Sequence, residues 1–187
     1  MNTPLSLRGY LLVAMPSLRG GAFEQSVIYI CEHQPEGAVG LIINQPMHYP
    51  LSFMFDQLQI ESGDAKKKNQ PLLFGGPVQP ERGFVIHRPC GSWRSSLLLG
   101  DDVTVTTSND IIRAIAENDG PADALVALGF VSWEAGQLEQ EIETDQWMVC
   151  NYQSEILYDT PFEKRWEKTP ESIGVNVNQL IGKAGHA

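Results

Sequence analysis

SVIYICEH (26–33), QPEGA (34–38) and VGLIINQP (39–46) are three consecutive segments in which two apolar runs flank a short polar one. Pro35 and Gly37 are turn-forming residues, so this arrangement predicts a β-hairpin or a closely related strand–loop–strand unit. Successive side chains of a strand point to opposite faces, and the first run is apolar on both faces until its last three residues. We therefore expect a strand that is buried on both faces and ends at the surface with residues 31–33. Pro46 is expected to break the pairing of the second strand.

Length and composition predict one domain over residues 1–187, with 42% hydrophobic residues to supply its core. No apolar run approaches the roughly 20 residues of a membrane span, and the N-terminal apolar run is cut short by Pro16. The three cysteines are odd in number and form no CxxC pattern, which is typical of a reducing compartment. These features predict a cytoplasmic protein that does not enter a membrane.

The net charge of −10 is concentrated in one part of the chain. Residues 1–100 hold eight basic and seven acidic side chains, whereas residues 101–159 hold thirteen acidic side chains and Arg113 as the single basic one. A duplex-binding surface neutralises several phosphates with lysine and arginine. The charge distribution therefore disfavours direct nucleic-acid binding.

Strand patterns dominate the first part of the chain and helix patterns the second, without a regular βαβ rhythm. The order predicts an α+β fold rather than a doubly wound one. Further strands are predicted at residues 10–15, 72–74, 83–87, 95–99, 103–106, 125–131, 147–150 and 155–158. Helices are predicted at 51–58, after a cap at Thr107 or Ser108, at 133–143 after Ser132, and from a Thr160 capping box through Trp166, with an exposed loop at 61–70.

Cys31 and His33 are two positions apart, so in a regular strand they share one face. A histidine that close could stabilise a thiolate and make Cys31 a nucleophile or a redox sensor, although a cysteine in an apolar strand is more often a packed hydrophobe. Together with His87 and Cys90 the pair would supply four donors suited to zinc. Neither half has the spacing of common zinc sites, so we expect no metal.

Two other segments suggest an anion site. Gly75 and Gly76 leave backbone N–H groups accessible near Arg82, and the hydroxyls of Thr107 and Ser108 precede a helix whose first turn contains Asp110. A structural turn and ordinary helix capping are the competing interpretations. No GxSxG, HExxH or GxGxxG motif is present, and we expect no cofactor.

The same residues carry a resemblance that spans nearly the whole chain. They are LVAMP (12–16), VIYICEH (27–33), GLIIN (40–44) with Pro46, GGP (75–77), RGF (82–84) with His87, TTSND (106–110), LVALG (125–129) with Trp133, GQLE (136–139), RW (165–166) and GHA (185–187). This pattern resembles the bacterial YqgE/AlgH family. The resemblance implies a single α+β domain whose mostly antiparallel, bifurcated sheet forms a pseudo-barrel flanked by helices. The family's biochemical role is not established, and one member is described as a transcriptional regulator of alginate production.

Polar and turn-forming residues gather where the predicted strands end, without a complete catalytic set. We therefore expect a non-enzymatic binding or regulatory protein that acts on a protein partner or a small anion. The alternative is an enzyme or redox sensor that depends on Cys31. The residues expected at the binding edge are Cys31, His33, Asn44, Gly75, Gly76, Arg82, His87, Thr107, Ser108 and Asp110.

Overall fold

The computed structural model describes residues 5–184, which contain ten strands and seven helices. The strands are β1 (Leu11–Ala14), β2 (Val27–Gln34), β3 (Gly37–Ile42), β4 (Pro46–Pro50), β5 (Pro71–Phe74), β6 (Val78–Arg88), β7 (Ser96–Gly100), β8 (Val103–Thr106), β9 (Asp123–Glu134) and β10 (Trp147–Cys150). The helices are α1 (Leu51–Gln57), α2 (Ala65–Lys68), α3 (Asp110–Ala116), α4 (Gln137–Glu143), α5 (Ser154–Tyr158), α6 (Phe162–Glu171) and α7 (Val177–Ala184). The GHA segment at 185–187, which contributed to the family resemblance, lies outside the described residues.

The strands form one sheet in the order β10-β1-β2-β3-β9-β6-β8-β7, and β5 and β4 branch from β9. The long strand β9 joins the two parts of the sheet. Its residues 123–128 and Phe130 pair with β6, and its residues 131–134 pair with β3. The pairing of β5 with β9 is parallel, and the other pairings are antiparallel. This curled, bifurcated sheet with flanking helices confirms the predicted α+β fold class.

The predicted hairpin is confirmed as β2 and β3, which are joined by a two-residue turn. Side chains of β2 pack into two different cores. Tyr29 belongs to a core cluster with Leu41 and Ile86, whereas Ile28 and Ile30 belong to another cluster beneath α4. The strand is therefore buried on both faces, as expected. A β-bulge interrupts the pairing at Cys31, because Ile30 pairs with Gly40 while the next paired residue is Glu32.

The branch point of the sheet depends on glycines. Gly75 donates its N–H to the Leu128 carbonyl and accepts from the Ile42 N–H, so it lies between β3 and β9. A Cβ on Gly76 would lie 2.1 Å from the Phe130 carbonyl carbon, and one on Gly129 would lie 2.2 Å from the Gly76 oxygen. Two backbones thus cross at a separation that only glycine permits.

Helix α6 is fastened to the sheet by two buried side chains. Arg165 donates to the carbonyls of Ile43 and Thr160, and the Trp166 indole N–H donates to the Ala14 carbonyl over 2.8 Å. Burial lowers the pKa of Arg165 to about 10. The guanidinium also lies 4.6 Å from the centre of the Phe162 ring. These contacts tie the C-terminal part of the chain to β1 and to the end of the hairpin.

Several local predictions were wrong. Pro46 does not simply end a strand but begins the short strand β4, a position that proline tolerates because its missing N–H is not needed there. Residues 155–158 are helical, since the adjacent Ile156 and Leu157 are both buried and a strand would separate them. Helix α2 lies within the predicted 61–70 loop.

The predicted helix starts also differ from the structure. Strand β9 extends to Glu134 because that residue pairs with Gly37, so α4 begins only at Gln137 and Ser132 caps nothing. Thr160 does not form the capping box, since its hydroxyl donates to the Glu155 carbonyl. Asn109 is the N-cap residue of α3, in place of Thr107 or Ser108.

No helix within residues 5–184 has the length and apolar composition needed to cross a membrane.

We predict that Gly129→Ala is far more destabilising than Gly136→Ala. Both glycines have φ of +75°, but a Cβ at Gly136 meets no atom within 4 Å whereas one at Gly129 collides with the Gly76 carbonyl. The control variant should lose about 1–2 kcal/mol for the left-handed backbone alone. The Gly129 variant should lose at least about 2 kcal/mol more. Urea denaturation measures both, and equal losses would contradict the crossing.

Candidate functional site

A pocket of about 280 Å³ lies where β2, β3, β6, β7, β8 and β9 meet. Its lining residues are Cys31, Glu32, Val39, Leu41, Arg82, Phe84, Ser95, Ser96, Leu97, Val105, Thr107 and Phe130. The volume is just below the usual range for small-molecule sites, which begins at about 300 Å³. The pocket is therefore small for a ligand site and has room only for a small organic molecule.

The pocket combines an aromatic wall with one cationic side chain. Phe84 and Phe130 pack edge to face with their ring centres 5.7 Å apart. The Arg82 guanidinium carbon lies 5.2 Å from the centre of the Phe84 ring, which holds the exposed side chain at the pocket by a cation–π contact. An apolar surface with a few convergent polar groups is the usual composition of a ligand site.

A chain of hydrogen bonds runs from the pocket to the buried His87. The Pro89 carbonyl, 3.1 Å from His87 Nδ1, can only accept, so Nδ1 carries the proton of the neutral ring. His87 Nε2 then accepts from the Thr106 hydroxyl over 2.7 Å, and Thr106 Oγ1 accepts from the Ser96 hydroxyl over 2.7 Å. Burial lowers the pKa of His87, which favours this neutral form. Ser96 is left with only acceptor capacity for another group.

A second set of hydroxyls joins β7 to the start of α3. Ser95 Oγ and Thr107 Oγ1 are 3.0 Å apart, and Ser108 accepts from the Ser95 N–H and donates to Asp110. Partial burial acts to raise the pKa of Asp110, but bonds from Ser108 and from the N–H groups of Arg94 and Ile111 hold it below its usual value. Ser108 and Asp110 are therefore engaged in local structure, whereas Ser95 and Thr107 have one hydroxyl hydrogen to spare between them.

Cys31 lies in the wall of this pocket and is 7% exposed. Burial, with a contribution from the neighbouring Glu32 carboxylate, raises the pKa of its thiol to about 12. A thiol rather than a thiolate is therefore present at neutral pH, and thiols are weak nucleophiles. The described residues contain no group of three or more histidine, cysteine, aspartate or glutamate side chains that could hold a metal ion.

A larger cleft of about 500 Å³ lies beside α6 and contains Asn44. Its charged lining residues are Glu24, Glu163 and Glu167, with no lysine or arginine among the lining side chains that the structure describes. Such a surface repels anions. The pocket with Arg82 is therefore the better candidate for an anionic ligand.

Comparison with known proteins gives one family. The model of the family described as DUF179, AlgH-like, matches residues 11–178. The chain belongs to the AlgH-like family. A UPF0301 protein of Legionella pneumophila is 60% identical over 182 residues, which are 97% of each chain. A second UPF0301 protein, from Saccharophagus degradans, is 43% identical over 98% of this chain and 90% of its own.

Solved structures agree with this AlgH-like assignment. The solution structure of AlgH from Pseudomonas aeruginosa is 39% identical, with a TM-score of 0.81 over 100% of this chain and 99% of that one. A crystal structure of a Corynebacterium diphtheriae protein has a TM-score of 0.74 at 20% identity, over 96% and 94% of the two chains, and this likeness concerns the fold alone. The resemblance inferred from the sequence motifs is thereby confirmed.

The structure brings together only some of the residues expected at one edge. Cys31, Arg82 and Thr107 line the pocket, and His87, Ser108 and Asp110 lie next to it through the hydrogen bonds described above. The other expected residues, His33, Asn44, Gly75 and Gly76, do not line it. Asn44 accepts from the Val27 N–H and donates to the Gln25 carbonyl, and the two glycines are buried at the backbone crossing.

Cys31 and His33 do not share a face, contrary to the spacing argument. The bulge at Cys31 shifts the alternation of β2 by one residue, so Cys31 packs with Tyr29 while His33 turns to the other side of the sheet. There His33 Nδ1 accepts from the Leu7 N–H, and Nε2–H donates to Glu139 over 2.6 Å. A β-bulge cannot be recognised reliably from a single sequence, so the alternation of side chains in a regular strand predicts the wrong face for His33.

Sequence reasoning missed Phe84, Ser95, Ser96 and Phe130. Glu32 and Thr106 lie in the segments that it singled out but were not among the expected site residues. The predicted strand VTVT (103–106) offered one signal, because two threonine hydroxyls in a buried strand must find partners inside the protein, and all four residues of β8 are buried. Thr106 finds them in Ser96 and His87. The sequence pattern thus indicates that the hydroxyls need hydrogen-bond partners, but it does not identify those partners.

We predict that iodoacetamide labels Cys90 well before Cys31 or Cys150 at pH 7.5. Cys90 is exposed, whereas the other two are buried and burial raises the pKa of each thiol to about 12. Mass spectrometry of the native protein after timed labelling gives the rates, with labelling in urea as the control for intrinsic reactivity. Labelling of Cys31 as fast as Cys90 would support the thiol-dependent alternative.

We predict that stability falls between pH 7 and pH 5 because of His87. Its pKa is lower in the folded than in the unfolded protein, so its stabilising contribution is complete above about pH 6.5 and is lost as the pH falls toward the folded value. One such group gives a slope of at most about 1.4 kcal/mol per pH unit. Urea denaturation across this range should show a smaller slope for His87→Gln, and the exposed His48→Gln should keep the native slope.

Proposed function

We propose that this AlgH-like protein is a non-enzymatic, cytoplasmic binding protein with a regulatory role, and that it takes a small ligand with an anionic group and an apolar body in the pocket beside Arg82. The observation that carries the proposal is the position of Arg82, an unneutralised guanidinium at the rim of an aromatic pocket. None of the ion pairs in residues 5–184 includes it. Carboxylates and phosphates match the fork of donors that a guanidinium offers.

The hydroxyls support the same ligand class. One spare hydrogen on the Ser95–Thr107 pair can be donated to an anion that Arg82 holds. Phe84 and Phe130 offer the apolar surface that the rest of the ligand would cover. The pocket thus favours a molecule that is charged at one end and apolar at the other.

Regulation would follow from what lies next to the pocket. Leu97 lines it, and both Leu97 and Leu98 are exposed, at 41% and 57%, on the edge strand β7. Exposed leucines on an edge strand favour contact with a protein partner, which is the second candidate function. A ligand against Leu97 would change the surface that such a partner meets.

A Cys31-dependent enzyme is the less favoured reading, because its thiol is buried and protonated at neutral pH. Direct nucleic-acid binding is also disfavoured, since thirteen acidic side chains lie between residues 101 and 159.

We predict that the protein binds 3-phenylpropionate, a carboxylate with a short aromatic body, and that Arg82→Gln weakens this binding about tenfold or more. The reason is that a hydrogen bond to a charged group contributes about 1.5–3 kcal/mol. Isothermal titration calorimetry at low salt measures the affinities. The matched control is Arg113→Gln, which removes an exposed arginine of α3 that does not line the pocket. Equal affinity in the two variants would contradict the proposal.

A further inference from the structure

The pocket holds one anionic side chain as well as one cationic one. Glu32 and Arg82 both line it, yet they form no ion pair with each other or with any other residue among the ion pairs of residues 5–184. Two opposite charges that share a small pocket without contact leave each free for a ligand group. A ligand with a single negative charge would use Arg82 and leave the exposed Glu32 carboxylate to solvent.

The hydrogen-bond pattern also leaves Ser96 as an acceptor that a donor group of the ligand can use. The proton of Ser96 is committed to Thr106, because Thr106 donates to His87 and His87 donates to Pro89. Ser96 therefore offers only lone pairs, as the Glu32 carboxylate does. Arg82, by contrast, offers only donors. The polar groups of the pocket therefore complement a ligand that has both an anionic acceptor and a cationic or neutral donor.

The overall charge favours the same conclusion. The chain carries a net charge of −10, so an anion approaching the protein meets a repulsive field that salt screens only beyond about 8 Å at physiological ionic strength. A zwitterion has no net charge and does not meet this repulsion. It can still present a carboxylate to Arg82.

We propose that the ligand is a small zwitterion with an apolar side chain, of which a free apolar α-amino acid is the simplest form. Its carboxylate binds Arg82, its ammonium group binds Glu32, and its side chain packs on Phe84 and Phe130. The assignment rests on the proposed function, since it names the ligand class of the same pocket. It adds Glu32 as the residue that distinguishes a zwitterion from a plain carboxylate.

Three probes with nearly the same body test the assignment. L-phenylalanine carries both charges, 3-phenylpropionate lacks the ammonium group, and phenethylamine lacks the carboxylate. Calorimetric titration of the native protein should give L-phenylalanine the highest affinity, by about tenfold over each of the others, because each lost group forfeits one charge-assisted hydrogen bond. An affinity of 3-phenylpropionate equal to or above that of L-phenylalanine overturns the zwitterion while leaving the anion pocket intact.

Variants at two glutamates test where the ammonium group of the ligand binds. Glu32→Gln should bring the affinities of L-phenylalanine and 3-phenylpropionate within about twofold of each other, since it removes the charge that separates them. The exposed Glu36→Gln, in the turn of the same hairpin, is the matched control and should keep the tenfold preference. A preference that survives in Glu32→Gln overturns the assignment. If neither probe binds in a manner that depends on Arg82, the proposed function fails together with the inference.

Discussion

The close approach of two backbones at Gly76 and Gly129 determines how the sheet divides. Because neither residue has a side chain, the segment after β5 can pass directly against β9. Strand β9 can then pair with β6 along its first half and with β3 along its last four residues. The sheet divides at this point, and the two core clusters on the faces of β2 and the third beneath α1 and α3 lie around it.

The crossing of the two backbones at Gly76 and Gly129 also determines where the pocket lies. Phe130 follows Gly129 directly, and its ring meets Phe84 of β6 at the site where the curled sheet leaves an opening. From the other direction, β7 and β8 bring Ser95, Ser96 and Thr107 to the rim. Arg8 helps to hold this part in place by donating to the Leu98 carbonyl over 2.9 Å, which links the N-terminal segment to the edge strand. Residues from distant parts of the chain thus meet around a cavity that none of them forms alone.

The sequence predicted the fold far better than the site. Apolar runs such as 27–30 and 125–128 are strong signals because burial on both faces of a sheet removes the need for polar alternation. The Cys31–His33 pair shows where this reasoning ends, since one inserted residue in the ladder reverses the face of every side chain after it. The sequence suggests Gly75 and Gly76 as part of an anion site, but in the structure they contact Gly129, more than fifty residues away, which no local pattern reveals. The role of Ser96 depends equally on the proton positions of two residues on other strands.

Arg82 is the residue of the pocket that is proposed to bind the ligand. The NMR resonance of its Nε–H therefore reports directly on binding. Titration of uniformly ¹⁵N-labelled protein with 3-phenylpropionate can be followed at the Arg82 Nε–H resonance and at the backbone amides. A ligand in the pocket shifts the Arg82 Nε–H signal together with the amides of Ser95, Ser96 and Thr107, along one saturable curve. Shifts that saturate around Asn44 and α6 instead, with the Arg82 signal unmoved, would contradict the account.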